Sequence, residues 1–192
     1  MASQPQDDFV TPEEYLALEE RAERRSEYHD GIIVAMAGAS EEHNLLVVNL
    51  VREIGNRLRG GPCRGYVSEM RVRIPARNLY CYPDLVVVCG EPRFAPGATA
   101  TLLNPTLVIE VLADSTESDD RGKKFAAYRT LPSLREYVLV AQDEARIDAY
   151  RRDPDGRWTI GEARDLDATL TLATGNLALP LADLYEGIAL PG

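Results

Sequence analysis

The chain has 192 residues, of which 45% are hydrophobic and 27% charged, so we expect a single domain over residues 1–192, with residues 1–10 flexible. The net charge of −10 argues against non-specific binding to nucleic acid. No apolar run approaches the roughly 20 residues that cross a bilayer, and the polar, acidic start of the chain is unlike a signal peptide. Cys63, Cys81 and Cys89 form an odd set without metal-binding spacing, which favours a reduced, cytoplasmic protein.

The first predicted elements are a helix and a hairpin. Thr11 and Glu14 have the spacing of a capping box, which predicts a helix that begins there and runs to about Arg24. The dipeptide Asp30-Gly31 then separates two β-like runs, and this pattern is typical of a tight hairpin turn.

A second helix is predicted from Glu41 to Arg59, with Ser40 as its cap. His43 lies four residues before the first member of the apolar stripe, so its side chain should point at the protein. A single inward histidine is more often a hydrogen-bonded core residue than a functional one, and both interpretations stay open. The stripe consists of Val47, Leu50, Ile54 and Leu58.

Nearly continuous apolar runs predict strands that are buried on both faces. Later segments predict a third helix over Asp120–Leu131, a hairpin around Pro154-Asp155-Gly156 and a short helix over Leu181–Tyr185. Pro92, Pro96 and Gly97 indicate that Gly90–Asn104 is a surface loop. The predicted strands are Tyr66–Ile74, Tyr80–Val88, Thr106–Leu112 and Arg135–Val140.

Two of these apolar runs each contain one carboxylate, Asp84 or Glu110. A buried carboxylate is costly unless it is paired, and two on neighbouring strands repel each other. A divalent cation between them removes both problems, so we expect Asp84 and Glu110 to bind Mg²⁺ or Mn²⁺. The backbone carbonyl of Val111 is the best candidate for a third ligand.

The chain contains only two lysines, Lys123 and Lys124. At 100° per residue, Lys124 falls within the apolar arc that contains Tyr128 and Leu131, whereas Lys123 falls outside it. An inward lysine beside two buried acids is either a salt-bridge partner or a catalytic cation.

The functional interpretation is metal-dependent cleavage of a phosphodiester, in which Lys124 positions the attacking water or stabilises the phosphate. Glu27 would supply a further ligand, and His43 a hydrogen bond or a proton. The structural interpretation is a buried Asp–Lys–Glu network without chemistry.

The segment Arg52–Arg77 is a basic island in this acidic chain, with seven arginines against Glu53 and Glu69, a local net charge of +5. It either faces a polyanion such as DNA or forms an ordinary solvated surface.

The chain resembles the PD-(D/E)xK nuclease superfamily and, more closely, the Uma2 family of restriction-endonuclease-like proteins, from about Thr11 to Leu184. The motifs that carry the resemblance are Glu27 before Asp30-Gly31, Ser40-x-x-His43-Asn44, Tyr82-Pro83-Asp84, Val108-Ile109-Glu110-Val111-Leu112, Asp120-Arg121-Gly122-x-Lys124 with Tyr128, and Pro132-Ser133-Leu134-Arg135-Glu136-Tyr137.

The resemblance implies an α/β (α+β) restriction-endonuclease-like fold, with a mixed central sheet flanked by helices and extra C-terminal β-hairpins. It also implies a divalent metal at Asp84 and Glu110, and frequent homodimers. The lysine that the superfamily places two residues after the acid is Leu112 here. In this family the lysine lies on the next helix, which fits Lys124.

Three functions are compatible with these features. The first is a Mg²⁺-dependent DNA endonuclease. The second is a catalytically silent module with a nuclease fold that binds a partner or acts in regulation, and it predicts a salt-bridged Lys124 without metal dependence. The third, a hydrolase of small phosphate esters, requires a closed pocket instead of a groove.

Overall fold

The computed structural model of the protein describes residues 9–36, 38–113 and 117–190. Most of the terminal segment that we predict to be flexible lies outside these ranges. The helices of the described chain are α1 (Pro12–Glu19), α2 (Glu41–Leu58), α3 (Glu117–Asp119), α4 (Phe125–Tyr128) and α5 (Leu181–Leu184). The strands are β1 (Ser26–His29), β2 (Ile32–Ala35), β3 (Cys63–Val67), β4 (Arg71–Ile74), β5 (Leu79–Cys81), β6 (Leu85–Cys89), β7 (Phe94–Ala95), β8 (Ala98–Leu102), β9 (Leu107–Val111), β10 (Glu136–Val140), β11 (Arg146–Arg152), β12 (Trp158–Arg164), β13 (Thr169–Leu172) and β14 (Leu177–Pro180).

A central six-stranded sheet has the order β12-β11-β10-β9-β6-β3. It is mixed, because β9 and β10 run parallel whereas the other neighbours are antiparallel. Leu46, Leu50 and Ile54 of α2 pack on one face, together with the β13–β14 hairpin and α5. The nearly continuous apolar sequences of β6, β9 and β10 follow from this position, since both of their faces are buried.

The other face of the central sheet is covered by a second six-stranded sheet, with the order β2-β1-β5-β4-β8-β7, and by α4. Val72, Cys81 and Leu102 of the second sheet share a core with Val86 and Leu139 of the central one. The predicted fold class, mixed strands with flanking helices and C-terminal hairpins, is confirmed. The structure adds that one face of the central sheet is covered largely by a second sheet instead of by helices.

Two of the predicted strands are divided in the structure. Each of them corresponds to two shorter strands, and these belong to different sheets. The predicted strand Tyr66–Ile74 is β3 and β4, which are joined by a turn in which the Met70 N–H donates to the Val67 carbonyl. The predicted strand Tyr80–Val88 is β5 and β6, with Tyr82-Pro83-Asp84 between them. Pro83 has no N–H to donate to a sheet, so the ladder stops there and the chain crosses to the central sheet.

The prediction of a surface loop over Gly90–Asn104 is wrong. This segment contains the β7–β8 hairpin, and β8 pairs in parallel with β4. Gly97 adopts a φ of 72° in the turn between the two strands, whereas Thr101 and Leu102 are buried. The proline and glycine residues mark the turn correctly, but partners distant in sequence decide the pairing.

The predicted helix starts and turns are confirmed more closely than the helix ends. Thr11 and Glu14 form the capping box, but α1 ends at Glu19 instead of Arg24, and Glu19 is buried. Asp30 and Gly31 form the hairpin turn with φ angles of 47° and 100°. The predicted third helix begins earlier, as α3, and continues through a π-helical segment over Asp120–Lys124 into α4.

The cysteines differ from the reduced state that we predict. Cys63 and Cys89, 26 residues apart, lie opposite each other in the antiparallel β3–β6 pair and form a disulfide. Cys81 is a free, buried thiol. The sequence does not show this pairing because the register between the two strands brings the cysteines together.

Within the described ranges, no helix is long and apolar enough to cross a membrane.

Candidate active site

Asp84 and Glu110 meet where the chain passes from the second sheet to the central one. In the antiparallel β6–β9 register Leu85 pairs with Ile109, so one further step places Asp84 opposite Glu110. The Val111 N–H donates a 2.7 Å hydrogen bond to Asp84 Oδ2. Because the N–H and C=O of one strand residue point to the same side, the Val111 carbonyl also faces Asp84.

The first turn of α2 brings His43 to the same place. Ser40 caps the helix by accepting a hydrogen bond from the His43 N–H, and His43 Nε2 lies 3.1 Å from Asp84 Oδ1. Both carboxylate oxygens of Asp84 are therefore held, one by an imidazole and one by a backbone amide. The inward orientation that the helical stripe predicts for His43 is confirmed.

Lys124 extends from the π-helical segment into a group of carboxylates. Its Nζ lies 3.2 Å from Glu27 Oε1, 3.2 Å from Asp120 Oδ1 and 3.7 Å from Glu110 Oε1. The side chain of Lys124 is 12% exposed, whereas that of Lys123 is 82% exposed and pairs with Asp119. The helical-wheel argument therefore identifies the inward lysine correctly.

Glu27 on β1 connects the second sheet to this group. Its Oε1 accepts a 3.1 Å hydrogen bond from the Tyr82 N–H and faces Lys124, while its Oε2 lies 3.0 Å from His29 Nε2. Burial acts to raise the pKa of Glu27, but contacts with His29, Lys124 and Tyr82 outweigh burial and lower it. Glu27 is therefore a buried, ionised carboxylate.

Glu110 is in the opposite electrostatic situation. Burial raises the pKa of Glu110 well above its usual range, Asp120, Asp84 and Glu27 raise it further, and Lys124 opposes them. Three carboxylates thus lie within 4 Å of one lysine, with Asp84 beside Glu110, and burial among these acids disfavours the charged form of Glu110. A divalent cation fits such a set of oxygen donors, because it supplies positive charge and binds carboxylate and carbonyl oxygens.

The structure adds His29, Asp120 and Tyr128 to the residues that the sequence assigns to the site. His29 lies two positions after Glu27 on one strand, so their side chains share a face. Asp120 lies one helical turn before Lys124. The Tyr128 hydroxyl is 3.5 Å from Glu110 Oε1. Asp120 and Tyr128 already belong to a motif that carries the family resemblance, but the sequence analysis gave them no role in the site. The spacing of His29 from Glu27 was a usable signal that the sequence analysis did not use.

The basic island does not form one surface. Arg71 is buried, donates to Thr101 and Tyr82, and lies against aromatic rings. Arg52 and Arg57 pair with Glu53, and Arg52 also pairs with Glu186. The remaining arginines of the segment are Arg59, Arg64, Arg73 and Arg77.

Comparisons with known proteins agree with this architecture. The Uma2 family model, described as "Putative restriction endonuclease", matches residues 12–182. Two uncharacterized proteins of Synechocystis sp. are similar over most of their length: slr1290 is 38% identical over 94% of this chain and 93% of its own, and sll1609 is 40% identical over 80% and 87%.

A crystal structure from Anabaena variabilis, described as "a putative nuclease belonging to DUF820", has the same fold, with a TM-score of 0.77 and 21% identity over 94% of this chain and 99% of that one. Since the family model covers nearly the whole chain, from α1 to α5, this protein belongs to the Uma2 family.

Proposed function

We propose that the protein is a divalent-metal-dependent endonuclease that hydrolyses phosphodiester bonds in DNA. The observation that carries this proposal is the excess of buried carboxylates around a single inward lysine at the junction of the two sheets. A buried set of acids with too few cations is costly for stability, so its presence favours a role in binding a metal.

Asp84 and Glu110, with the carbonyl of Val111, are the proposed ligands of Mg²⁺ or Mn²⁺. Such a cation lowers the pKa of a bound water and neutralises charge on the phosphate. His43 and the Val111 N–H fix the orientation of the Asp84 carboxylate, which is the arrangement expected behind a metal ligand.

Lys124 is the proposed catalytic cation. Glu27 and Asp120 hold its ammonium group beside Glu110, where it can position the attacking water or stabilise the charge that develops on the phosphate. Glu27 acts through Lys124 and is the proposed further ligand. His43 is the one histidine in contact with Asp84 in the described chain and the candidate for proton transfer.

The catalytically silent module remains the competing proposal, and a specific contact favours it. Lys124 forms salt bridges with Glu27 and Asp120, as a purely structural network requires. The two proposals differ on Glu110, because a structural network gains nothing from a buried carboxylate whose pKa is raised.

DNA is the proposed substrate, and its contact surface would use Arg59, Arg64, Arg73 and Arg77 of the segment Arg52–Arg77. With a net charge of −10, the protein should bind DNA weakly and with strong dependence on salt. We propose the cytoplasm as the location of this activity.

A homodimer through β2 is the proposed assembly. β2 is an edge strand of the second sheet, and Ile32, Ile33 and Val34 are all exposed, with Met36 beyond them. An apolar edge without charged side chains is a template for another strand, and a second copy of β2 can pair with it antiparallel about a two-fold axis.

The test of the activity is nicking of supercoiled plasmid at low salt, with Mg²⁺ and with Mn²⁺, by the wild type and by Asp84→Asn. We expect metal-dependent nicking by the wild type and none by Asp84→Asn, while circular dichroism shows the same fold for both. Equal nicking by the two proteins would exclude Asp84 as a ligand. If neither protein nicks the plasmid, the silent module becomes the better proposal.

A further inference from the structure

We propose a second metal site, formed by Glu27, His29 and Cys81, that binds a cation of the Zn²⁺ class. In the antiparallel β1–β5 pair Tyr28 lies opposite Tyr80, so the next step places Glu27 opposite Cys81. His29 shares the strand face of Glu27 because it lies two residues further along β1. Binding of a cation here does not depend on the nuclease activity, whose proposed metal ligands are Asp84 and Glu110.

The three donor atoms are already grouped. One carboxylate oxygen, one imidazole nitrogen and one sulfur lie within 4.8 Å of one another, and Glu27 Oε2 is 3.0 Å from His29 Nε2. Ligands about 2.0 Å from a tetrahedral Zn²⁺ are about 3.3 Å apart, and a thiolate at about 2.3 Å lies slightly further from its neighbours. A cation therefore fits between these atoms once the donor that lies furthest away moves inward by about 1 Å.

The chemistry of the donors selects the ion. Oxygen, nitrogen and sulfur together suit Zn²⁺ or Co²⁺, whereas Mg²⁺ prefers oxygen ligands alone. Glu27 and Cys81 are buried and His29 is partly exposed, so the cation would enter from the His29 side, where water can fill the fourth position. On binding, the Cys81 S–H bond breaks, the proton passes to solvent and the sulfur electron pair binds the metal.

Glu27 links this site to the nuclease site. Its Oε2 faces His29, whereas its Oε1 faces Lys124. A cation bound to Oε2 withdraws negative charge from Lys124 and weakens the pairing that holds the ammonium group in position. We therefore infer that Zn²⁺ at Glu27, His29 and Cys81 alters the activity of the neighbouring site instead of replacing its metal.

The test is a Co²⁺ titration of the full-length protein, followed by absorption in the near ultraviolet, where a cobalt–thiolate bond gives an intense charge-transfer band. We expect one equivalent of Co²⁺ to produce the band in the wild type, and Zn²⁺ to abolish it by competition. Cys81→Ser should lose the band, and His29→Ala should bind Co²⁺ at least tenfold more weakly.

Two controls separate this site from other donors. The double variant Cys63→Ser, Cys89→Ser should retain the band, which excludes the remaining cysteines. Asp84→Asn should also retain it while losing plasmid nicking, so the two proposals can fail independently. Absence of a thiolate band in the wild type, or its persistence in Cys81→Ser, would overturn the proposal. If Cys81→Ser does not fold, the partly exposed His29→Ala variant decides the question.

Discussion

Lys124 places a positive charge where the carboxylates of Glu27, Glu110 and Asp120 all lie within 4 Å of its Nζ. Burial acts to lower the pKa of Lys124, but the three carboxylates outweigh burial and raise it well above the usual range. The side chain is therefore a permanent cation in a buried position. The charge of such a group is already in position before the reaction, so no solvent has to reorganise around it. A preorganised charge of this kind stabilises a transition state effectively.

We expect Lys124→Ala to reduce plasmid nicking by about a hundredfold or more, since removal of one preorganised charge has effects of that size. Lys123→Ala is the matched control, because it removes an adjacent lysine whose side chain is 82% exposed, and it should leave the rate unchanged. Initial nicking rates at saturating Mg²⁺ measure the effect. Equal losses in the two variants would contradict the assignment of Lys124.

For single residues, the sequence predicts part of the arrangement of the candidate site. Helical spacing was sufficient to separate the inward Lys124 from the exposed Lys123, and one carboxylate in each of two apolar runs was sufficient to predict that Asp84 and Glu110 lie on neighbouring strands. His29 and Cys81 were not predicted as partners, because their proximity depends on the pairing of β1 with β5, which no local pattern specifies.

The π-helical segment is the element that determines the position of Lys124. Arg121, one turn before α4, is held at both ends of its guanidinium group. Its Nε lies 2.7 Å from Glu117 Oε1, and a terminal nitrogen lies 2.5 Å from Oδ2 of Asp148, a buried residue of β11. These contacts raise the pKa of Arg121, although burial acts to lower it. The segment is thus fixed to the central sheet by a charged side chain.

We expect Arg121→Met to destabilise the protein by about 1–3 kcal/mol, because it leaves the buried carboxylate of Asp148 with only Arg146, at 4.0 Å, as a cation in the described chain. Lys123→Met removes an exposed pair with Asp119 from the same stretch and should cost less than about 0.5 kcal/mol. Urea unfolding followed by circular dichroism measures both. A loss as small for Arg121 as for Lys123 would show that the ion pair does not hold the segment.

The element scale also shows where prediction of the fold succeeds and where it fails. Strand identity was correct for β9 and β10, whose apolar runs are short and nearly continuous. The break between β5 and β6 was missed because apolar residues lie on both sides of Pro83, and composition does not show that the two halves belong to different sheets. The predicted loop over residues 90–104 was wrong for a related reason, since β8 is stabilised by a partner distant in sequence.

For the whole molecule, the main unpartnered feature of the described structure is the apolar edge at β2. We expect Ile32→Lys to convert a dimer into a monomer of 21.2 kDa, because a lysine in the pairing strand opposes contact between two edges. Light scattering after size-exclusion chromatography measures the mass.

Ile160→Lys is the control for this substitution. Ile160 is 61% exposed, close to the 58% of Ile32, and lies on β12, the edge of the other sheet. It should leave the mass of the dimer unchanged. A wild-type protein that is monomeric at micromolar concentration, or two variants that both stay dimeric, would exclude β2 as the interface.

The crossing at Tyr82-Pro83-Asp84 is anchored to both layers. Glu27 of the second sheet accepts the Tyr82 N–H, and Val111 of the central sheet donates to Asp84. The position of these three residues therefore depends on how the two sheets lie relative to each other. If one sheet slides over the other, Glu27 and Val111 move apart and Asp84 is displaced, although each sheet keeps its own hydrogen bonds. A displacement of about 1 Å can cost a hundredfold in rate. A distant substitution that alters the contact between the two sheets is thus expected to lower the nicking rate while every strand stays intact.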